Sequence, residues 1–329
     1  MMAARVICLG EILWDCLANQ PGVPVEQVQS WTAYPGGAPA NVATALVKLG
    51  TAAAFVGCIG QDEAGDGLLQ LLLDCHVETT GVQRHATAPT RQVLVTRSLD
   101  GDRTFAGFKN HATTEFADTY LQADQLPLPL FETAEMLAIG TLGLAYPSSR
   151  AAIEQALALA DRYHLKVLMD VNWRPVFWPD PTIAPNVIRP LLNHVDFLKV
   201  TVEEADWLFN TREPAVITHQ LDHLEGLLVT DGDRGCWYSI VGHQGHIPAF
   251  TVKVVDTTGA GDGFVAGFLH QLCHRGLSCL RDATTVHHIV RYASAVGALT
   301  TTRAGAIAAQ PTAAEVDAFL ATAPSDPIT

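Results

Sequence analysis

The chain has 329 residues, 48% of them apolar and 16% charged. That is long enough to bury a sizeable core and too apolar for a disordered chain. Its 20 Lys and Arg stand against 34 Asp and Glu, a formal charge of −14. So acidic a surface repels nucleic-acid phosphates and anionic membranes, and leaves small molecules as the expected partners. No apolar run approaches the roughly 18 residues of a membrane helix. The start of the chain does not read as a signal peptide, because Glu11 and Asp15 interrupt a short apolar stretch. Seven scattered cysteines without a C-x-x-C pair point to a reducing, cytoplasmic compartment rather than a disulfide framework.

In chain order, Val6–Leu9 reads as a strand and Ala38–Leu49 as a helix. Val42, Leu46 and Leu49 share one face of that helix, and Gly50 stops it. Residues 53–59 read as a strand and 63–73 as a helix. Two β-rich runs, 92–98 and 104–109, flank Asp100-Gly101-Asp102, a hairpin signal. Then come a short apolar run at 136–139, a helix at 150–163, and buried strands at 166–171, 197–200 and 227–230. Helices at 263–274 and 287–300 follow, and the tail after Ala323 reads as frayed. Strands alternating with helices predict an α/β fold: a mainly parallel sheet between two helical layers, α/β/α. Segments at about 12–34 and 91–118 break the alternation. They are expected to leave the body of a single domain, 1–329, as a small β-sheet lid.

The chemistry should lie where small residues open a helix. Val254-Val255-Asp256-Thr257-Thr258-Gly259-Ala260-Gly261-Asp262-Gly263 runs from a β-prone stretch into a helix. Its glycines let backbone N–H groups approach a ligand, and the helix N-terminus adds unpaired donors, so the segment reads as a phosphate cradle. Asp262 at its lip is either an N-cap or a base. A carboxylate beside an anion site is a poor arrangement unless it accepts a proton there, as phosphoryl transfer requires. A second candidate is Pro35-Gly36-Gly37-Ala38-Pro39-Ala40-Asn41, also opening a helix. With Asp15 it offers the amides and acceptors that bind hydroxyl-rich ligands. A third, Asp170-Val171-Asn172-Trp173-Arg174, ends a buried strand. Arg174 there either grips an anion or pairs with Asp170 or Asp180. Further strand ends carry Lys199, Thr201 and Glu204, and Thr230, Gly232 and Gly235. There is no P-loop, no H-R-D or D-F-G, and no early G-x-G-x-x-G. His270, Cys273, His274 and Cys279 form one cluster of zinc-ligand types, without the spacing of a closed site.

Together these segments resemble the ribokinase-like (PfkB) carbohydrate kinases over nearly the whole chain. Gly36-Gly37-Ala38-Pro39-Ala40-Asn41 through Gly57 and Gly60 is similar to the N-terminal signature of that family. Asp256-Thr-Thr-Gly-Ala-Gly-Asp262 is similar to its C-terminal one. Gly60-Gln-Asp62-Glu-Ala-Gly65 matches a G-x-D-x-x-G, and Asp100-Gly-Asp-Arg103-Thr-Phe105 a lid hairpin. Asp170-Val-Asn-Trp-Arg174 with Trp178 resembles the form typical of fructokinases. Five motifs occur in family order.

The resemblance implies transfer of the ATP γ-phosphate to a primary sugar hydroxyl. Asp262 would be the catalytic base, and the Gly259, Ala260 and Gly261 amides the anion hole. Asp15, Gly36, Gly37, Asn41 and Arg174 would bind the sugar. Lys199, Thr230, Gly232 and Gly235, with Gly259 and Gly261, would bind the nucleotide. Glu204 matches the glutamate of an N-x-x-E motif that organises magnesium through water. Thr201 stands where that motif has Asn; fructokinase-like sequences often carry Ser there after a Lys. Asp256 and Thr302-Arg303-Ala304-Gly305-Ala306 match a site beside the adenine and a monovalent cation such as potassium. The subgroup motifs favour fructose, giving fructose 6-phosphate. The alternatives are 2-keto-3-deoxygluconate, another sugar or polyol, or a non-catalytic sugar- or nucleotide-binding regulator. The lid would support a homodimer.

Overall fold

The computed structural model describes residues 3–98 and 103–323. The expected turn Asp100-Gly101-Asp102 and the tail 324–329 lie outside the described residues. The first half runs β1 (Val6–Leu9), β2 (Leu13–Ala18), β3 (Trp31–Gly36), α1 (Ala38–Leu49), β4 (Ala53–Gly60), α2 (Glu63–Asp74), β5 (Glu78–His85), β6 (Gln92–Arg97), β7 (Arg103–Phe108), α3 (Leu128–Thr133), β8 (Met136–Ile139) and α4 (Pro147–Tyr163). The second half runs β9 (Lys166–Asp170), α5 (Ala184–Leu191), β10 (Phe197–Thr201), α6 (Val202–Phe209), α7 (Pro214–Gln220), β11 (Gly226–Thr230), β12 (Cys236–Ile240), β13 (His243–Ile247), α8 (Ala260–Arg275), α9 (Ala283–Thr300), α10 (Ala306–Ala309) and α11 (Ala313–Thr322).

Among the described residues, nine strands form the main sheet in the order β13-β12-β11-β10-β9-β8-β1-β4-β5. From β11 to β5 all neighbours are parallel; β12 and β13 are antiparallel. Successive β1 side chains feed opposite cores. Ile7 and Leu9 pack with α4, α5 and α6, while Val6 and Cys8 pack with α1, α8 and α9. The sheet is therefore covered on both faces, as a parallel sheet must be. A second, four-stranded sheet has the order β3-β2-β6-β7, drawn from the two segments that broke the alternation.

Helix α1 has the bounds its pattern predicts, but several other elements differ. Helix α8 begins at Ala260, with Gly259 as N-cap in the left-handed region at φ 79°. Asp262 thus sits inside the first turn and is not the N-cap. Helix α4 starts earlier, at Pro147, where the missing N–H costs nothing. Helix α9 starts at Ala283, because the Asp282 carboxylate accepts from Thr285 N–H and caps it. Strands β5, β12 and β13 escape the sequence reading. The first and last of these, ETTGVQRH and HQGHI, show too little apolar patterning.

Two packing features place the site. Helices α8 and α9 approach closely through small residues: a Cβ on Gly267 would lie 2.9 Å from Ala293 Cα. The base of the small sheet is pinned by Arg91, which is 1% exposed. Its Nε donates to Asp118 Oδ2 at 2.8 Å, and its Nη atoms donate to Thr113 Oγ1 and the Thr113 carbonyl. The Phe108, Phe116, Tyr146 and Phe177 rings lie around it at 4.6–5.5 Å. Tyr146 donates in turn to the Phe177 carbonyl at 2.5 Å, so the root of β6 is tied to the loop after β9. No helix among the described residues is long and apolar enough to cross a membrane.

Glu11, just after β1, is 6% exposed and its Oε1 accepts from Ala38 N–H, the first residue of α1, at 3.1 Å. Burial pushes its carboxyl up from 4.5 to about 7, aided by the nearby Asp118 and Asp262. The folded protein holds this proton more tightly than the unfolded chain. The associated stability is complete below the unfolded value and is lost as pH rises through 7. Glu11→Gln keeps an acceptor for Ala38 but carries no charge. Its stability relative to the parent should therefore increase between about pH 5 and pH 8, by up to ~3 kcal/mol. Thermal denaturation at the two pH values checks this, and a pH-independent difference would contradict it.

Candidate active site

Because the strands are parallel, β1, β9, β10 and β11 all end at one edge of the sheet. The polar residues that follow them meet the N-termini of α1 and α8 there, the usual ligand crevice of such folds. The closest link is a hydrogen bond from Asn41 Nδ2 to Asp262 Oδ2 at 2.7 Å. It joins the first turn of α1 to the first turn of α8. Asn41 is 4% exposed, and its backbone carbonyl accepts from Gln310 Nε2 at 2.7 Å. Its Oδ1 is buried and has no hydrogen-bond partner, so one acceptor is left for a donor such as a hydroxyl. Asp262 is partly exposed but walled by protein on most sides. That enclosure raises its pKa, against the lowering effects of Asn41, Lys199 and Arg174.

The turn before α1 is packed against the chain that follows β1. Gly37 has φ 102°, and a Cβ on it would lie 2.5 Å from the Glu11 carbonyl. A Cβ on Gly36 would lie 2.5 Å from Asp15 Oδ2, so the Asp15 carboxylate lies directly against this turn. Asp15 also acts on Asp262, pushing its pKa upward. The structure thus brings Asp15, Gly36, Gly37 and Asn41 to one side of Asp262.

On the other side lies the anion turn. Ala260 N–H donates to the Thr257 carbonyl at 3.2 Å, so that amide is committed within the turn. Helix geometry leaves the Gly261 and Asp262 N–H groups as first-turn donors. Of the three amides that the resemblance implies, that of Ala260 donates within the turn in this structure. Asp256 organises the segment. Its Oδ1 accepts from Thr258 N–H and Oγ1 at 3.0 and 2.7 Å, and its Oδ2 accepts from Gly305 N–H at 2.9 Å. The stretch after α9 is thereby held beside the turn.

Between the two sides sits a buried charge cluster. Lys199 Nζ contacts both Asp170 oxygens at 3.1 Å, and both residues are under 10% exposed. Burial opposes the charge on Lys199, but Asp170 and Glu204 outweigh it and hold its pKa above the ordinary value. Lys199, not Arg174, is therefore the partner of Asp170. Asp180 caps Thr182 instead of pairing with Arg174. Arg174 is exposed, bonds the Trp173 carbonyl at 3.0 Å, and acts electrostatically on Asp170 and Asp262. Thr201 and Glu204 form a capping box at the start of α6. The other Glu204 oxygen accepts from Trp173 N–H at 2.6 Å, so this carboxylate is fixed by backbone donors. At the end of β11, Thr230 donates to the Val200 carbonyl at 3.3 Å, and Gly232 and Gly235 both adopt positive φ in the turn beyond.

The zinc-type cluster does not converge. His270 is buried, hydrogen-bonded to Thr51 at 2.8 Å and stacked on Tyr292. Among the described residues no group of three or more His, Cys, Asp or Glu is placed to hold a metal ion. Sequence reasoning missed Glu11 and the Arg91–Asp118 pair. Glu11 offered one signal, a lone carboxylate in an apolar run; Arg91 offered none.

Comparison with known proteins agrees with this geometry. Fructokinase-1 of Zea mays is 36% identical over 321 residues, covering 96% of this chain and 98% of that one. The structure resembles fructokinase with bound ATP from Xylella fastidiosa, with a TM-score of 0.87 and 30% identity over 96% of this chain and 98% of that one. It also resembles fructokinase from Vibrio cholerae in its fructose, ADP and calcium ion bound form, with a TM-score of 0.82 and 28% identity over 97% and 99% of the two chains. Residues 3–313 match the pfkB family carbohydrate kinase profile, and the chain belongs to that family.

Proposed function

We propose that this protein is an ATP-dependent fructokinase, forming fructose 6-phosphate and ADP. The observation that carries the reading is the 2.7 Å contact between Asn41 and Asp262. It couples a hydroxyl-binding turn on α1 to a carboxylate beside an anion-binding turn on α8. The similarity to fructokinases favours fructose over 2-keto-3-deoxygluconate or a polyol, and a catalyst over a non-catalytic binder.

In this reading the sugar lies against Asp15, Gly36, Gly37 and Asn41, with Arg174 at its outer side. Its primary hydroxyl meets Asp262. The hydroxyl oxygen forms a bond to the γ-phosphorus, and the bond from that phosphorus to the β–γ bridging oxygen breaks. The electron pair leaves on ADP, and the hydroxyl proton passes to Asp262. Asn41 orients the carboxylate so that the free oxygen faces the hydroxyl. The Gly259–Gly261 turn receives the transferring group through its first-turn amides, which are fixed before reaction and need no reorganisation. Lys199, Thr230, Gly232 and Gly235 border the nucleotide. We read the small sheet as a lid, at about 12–34 and 91–118 of one domain, that excludes water while the phosphoryl moves. Its edge strand β3 exposes Thr32, Ala33 and Tyr34, which supports a homodimer through this sheet. Seven free thiols support a cytoplasmic location.

The donor set also bears on magnesium and potassium. Magnesium keeps water and phosphate ligands and needs only one or two carboxylates. Glu204, held rigid by two backbone donors, fits contact through water. Bound there, the ion offsets phosphate charge. Asp256, with the 302–306 segment beside it, fits a monovalent cation such as potassium.

These roles set four outcomes. Asp262→Asn should fold normally and lose roughly 10²–10⁴ in kcat; steady-state kinetics beside a melting curve check it, and near-parental turnover removes Asp262 from the mechanism. Since enclosure raises the Asp262 pKa, kcat/KM should fall on the acid side at a pH above the ordinary carboxylate range, and not in Asp262→Asn. Arg174 is exposed, so Arg174→Ala should raise KM for the sugar or lower kcat while leaving the melting temperature alone. A panel of sugars with ATP and magnesium, read as ADP release, tests the substrate: fructose should give the highest rate, and another sugar ahead of it would overturn the assignment.

A further inference from the structure

Two buried side-chain acceptors beside the site, Asn41 Oδ1 and Gln310 Oε1, have no hydrogen-bond partner. The first has a use in the reading above, as an acceptor for a sugar hydroxyl. The second has none, because Gln310 is 1% exposed and too buried to meet a ligand. Gln310 Nε2 donates to the Asn41 carbonyl at 2.7 Å. That carbonyl does not need it. Helix geometry supplies the Ala45 N–H, and Thr44 Oγ1 donates to the same oxygen at 3.0 Å. A buried amide with an orphaned oxygen destabilises a fold, so its presence has to be explained by something other than stability.

The place of Gln310 in the fold supplies the reason. It is the C-cap of α10, a helix of four residues, Ala306–Ala309, too short to hold its shape alone. The other end of α10 is fixed at the anion turn. Gly305 N–H donates to Asp256 Oδ2 at 2.9 Å, and a Cβ on Gly259 would lie 2.8 Å from Ala306 Cβ. Ala306, Ile307 and Ala309 are all buried. Helix α10 is thus a short strut. Its first residue packs against the turn that opens α8. Its cap, through Gln310, grips the residue whose side chain meets Asp262. The strut therefore spans the two first turns that the 2.7 Å bond from Asn41 to Asp262 brings together.

We propose that Gln310 is a positioning residue for phosphoryl transfer, holding the first turn of α1 at the spacing from the Gly259 turn that lets Asn41 orient Asp262. The inference rests on the fructokinase reading above, in which Asn41 turns one carboxylate oxygen of Asp262 toward the sugar hydroxyl. Gln310 touches no reacting atom and moves no proton. An apolar side chain of the same length would fill its place with one orphan fewer, and would leave the first turn of α1 free to shift. The amide therefore favours alignment over stability.

The test is a double-mutant cycle on kcat, with melting temperatures measured beside it. Gln310→Met keeps the length and loses the donor. It should lower kcat about tenfold while the KM for ATP stays within about twofold of the parent. Its melting temperature should equal or exceed that of the parent, since the orphaned oxygen is gone. Asn41→Ala removes the side chain to be oriented but leaves the carbonyl that Gln310 holds. In that background Gln310→Met should change kcat by less than about twofold. Parental kcat in Gln310→Met overturns the proposal. So does the same fold loss in both backgrounds, or a kcat loss matched by a fall in melting temperature, since each marks a merely structural contact. Should a variant not fold, a crystal structure of the parent with fructose and a non-hydrolysable ATP analogue decides. Gln310 Nε2 on the Asn41 carbonyl, with Asn41 on Asp262, supports the proposal; Nε2 turned away while Asn41 stays on Asp262 overturns it. A parent enzyme that phosphorylates no sugar would instead sink the kinase reading, so the two failures are distinct.

Discussion

The hydrogen bond from Asn41 to Asp262 joins two helix N-termini that lie 221 positions apart in sequence. Its geometry depends on most of the fold. A parallel sheet sends its strand ends, and hence the starts of the following helices, to one edge. Small residues on α8 let it pack closely on α9, so its first turn cannot drift. At α1 the first turn is held from two directions: Glu11 accepts from Ala38 N–H, and Gln310 donates to the Asn41 carbonyl. In the proposed mechanism Asp262 is the general base and must be within hydrogen-bond reach of the proton it takes, so an error of an ångström here would cost rate directly.

The electrostatics of the cleft run against ordinary stability. Glu11, Asp15, Asp170, Glu204 and Asp262 crowd one edge of a protein already at −14, with Lys199 and Arg174 as the cations that act on this group. Crowding carboxylates at one partly enclosed edge is unfavourable, and such sites are where fold and function pull apart. The arrangement becomes reasonable once a nucleotide with its cation completes it. The contrast with Arg91–Asp118 is instructive. That pair is equally buried, yet it is wrapped by four aromatic rings and further hydrogen bonds. It serves to fix the root of the small sheet rather than to meet a ligand.

Much of this was legible in the chain. Helix α1 was readable to the residue because an apolar stripe, a Gly-Gly-x-Pro opening and a Gly stop agree with one another. The strands of the parallel sheet that are buried on both faces announce themselves as short apolar runs. Strands β5 and β13 did not, since edge strands carry polar residues and take their register from neighbours distant in sequence. The start of α8 was misplaced by three residues, because Gly-Ala-Gly reads as a loop when helix propensity alone is weighed. At the site, residue types were informative and pairings were not. Asp170 was visible, and its partner proved to be Lys199, from the next strand, rather than the Arg174 beside it. Glu11 showed as no more than an interruption of an apolar run. Its role follows from the fold, which places α1 across the end of β1.

The proposed site holds a sugar hydroxyl between Asn41 and Asp262, facing a phosphoryl group on the first turn of α8. A crystal structure of the parent protein with fructose and a non-hydrolysable ATP analogue tests this most directly. The account predicts the primary hydroxyl within hydrogen-bond distance of an Asp262 oxygen and the γ-phosphoryl seated on the Gly261 and Asp262 amides. A sugar bound with that hydroxyl turned away from Asp262, or a nucleotide whose terminal phosphate lies clear of α8, would contradict it.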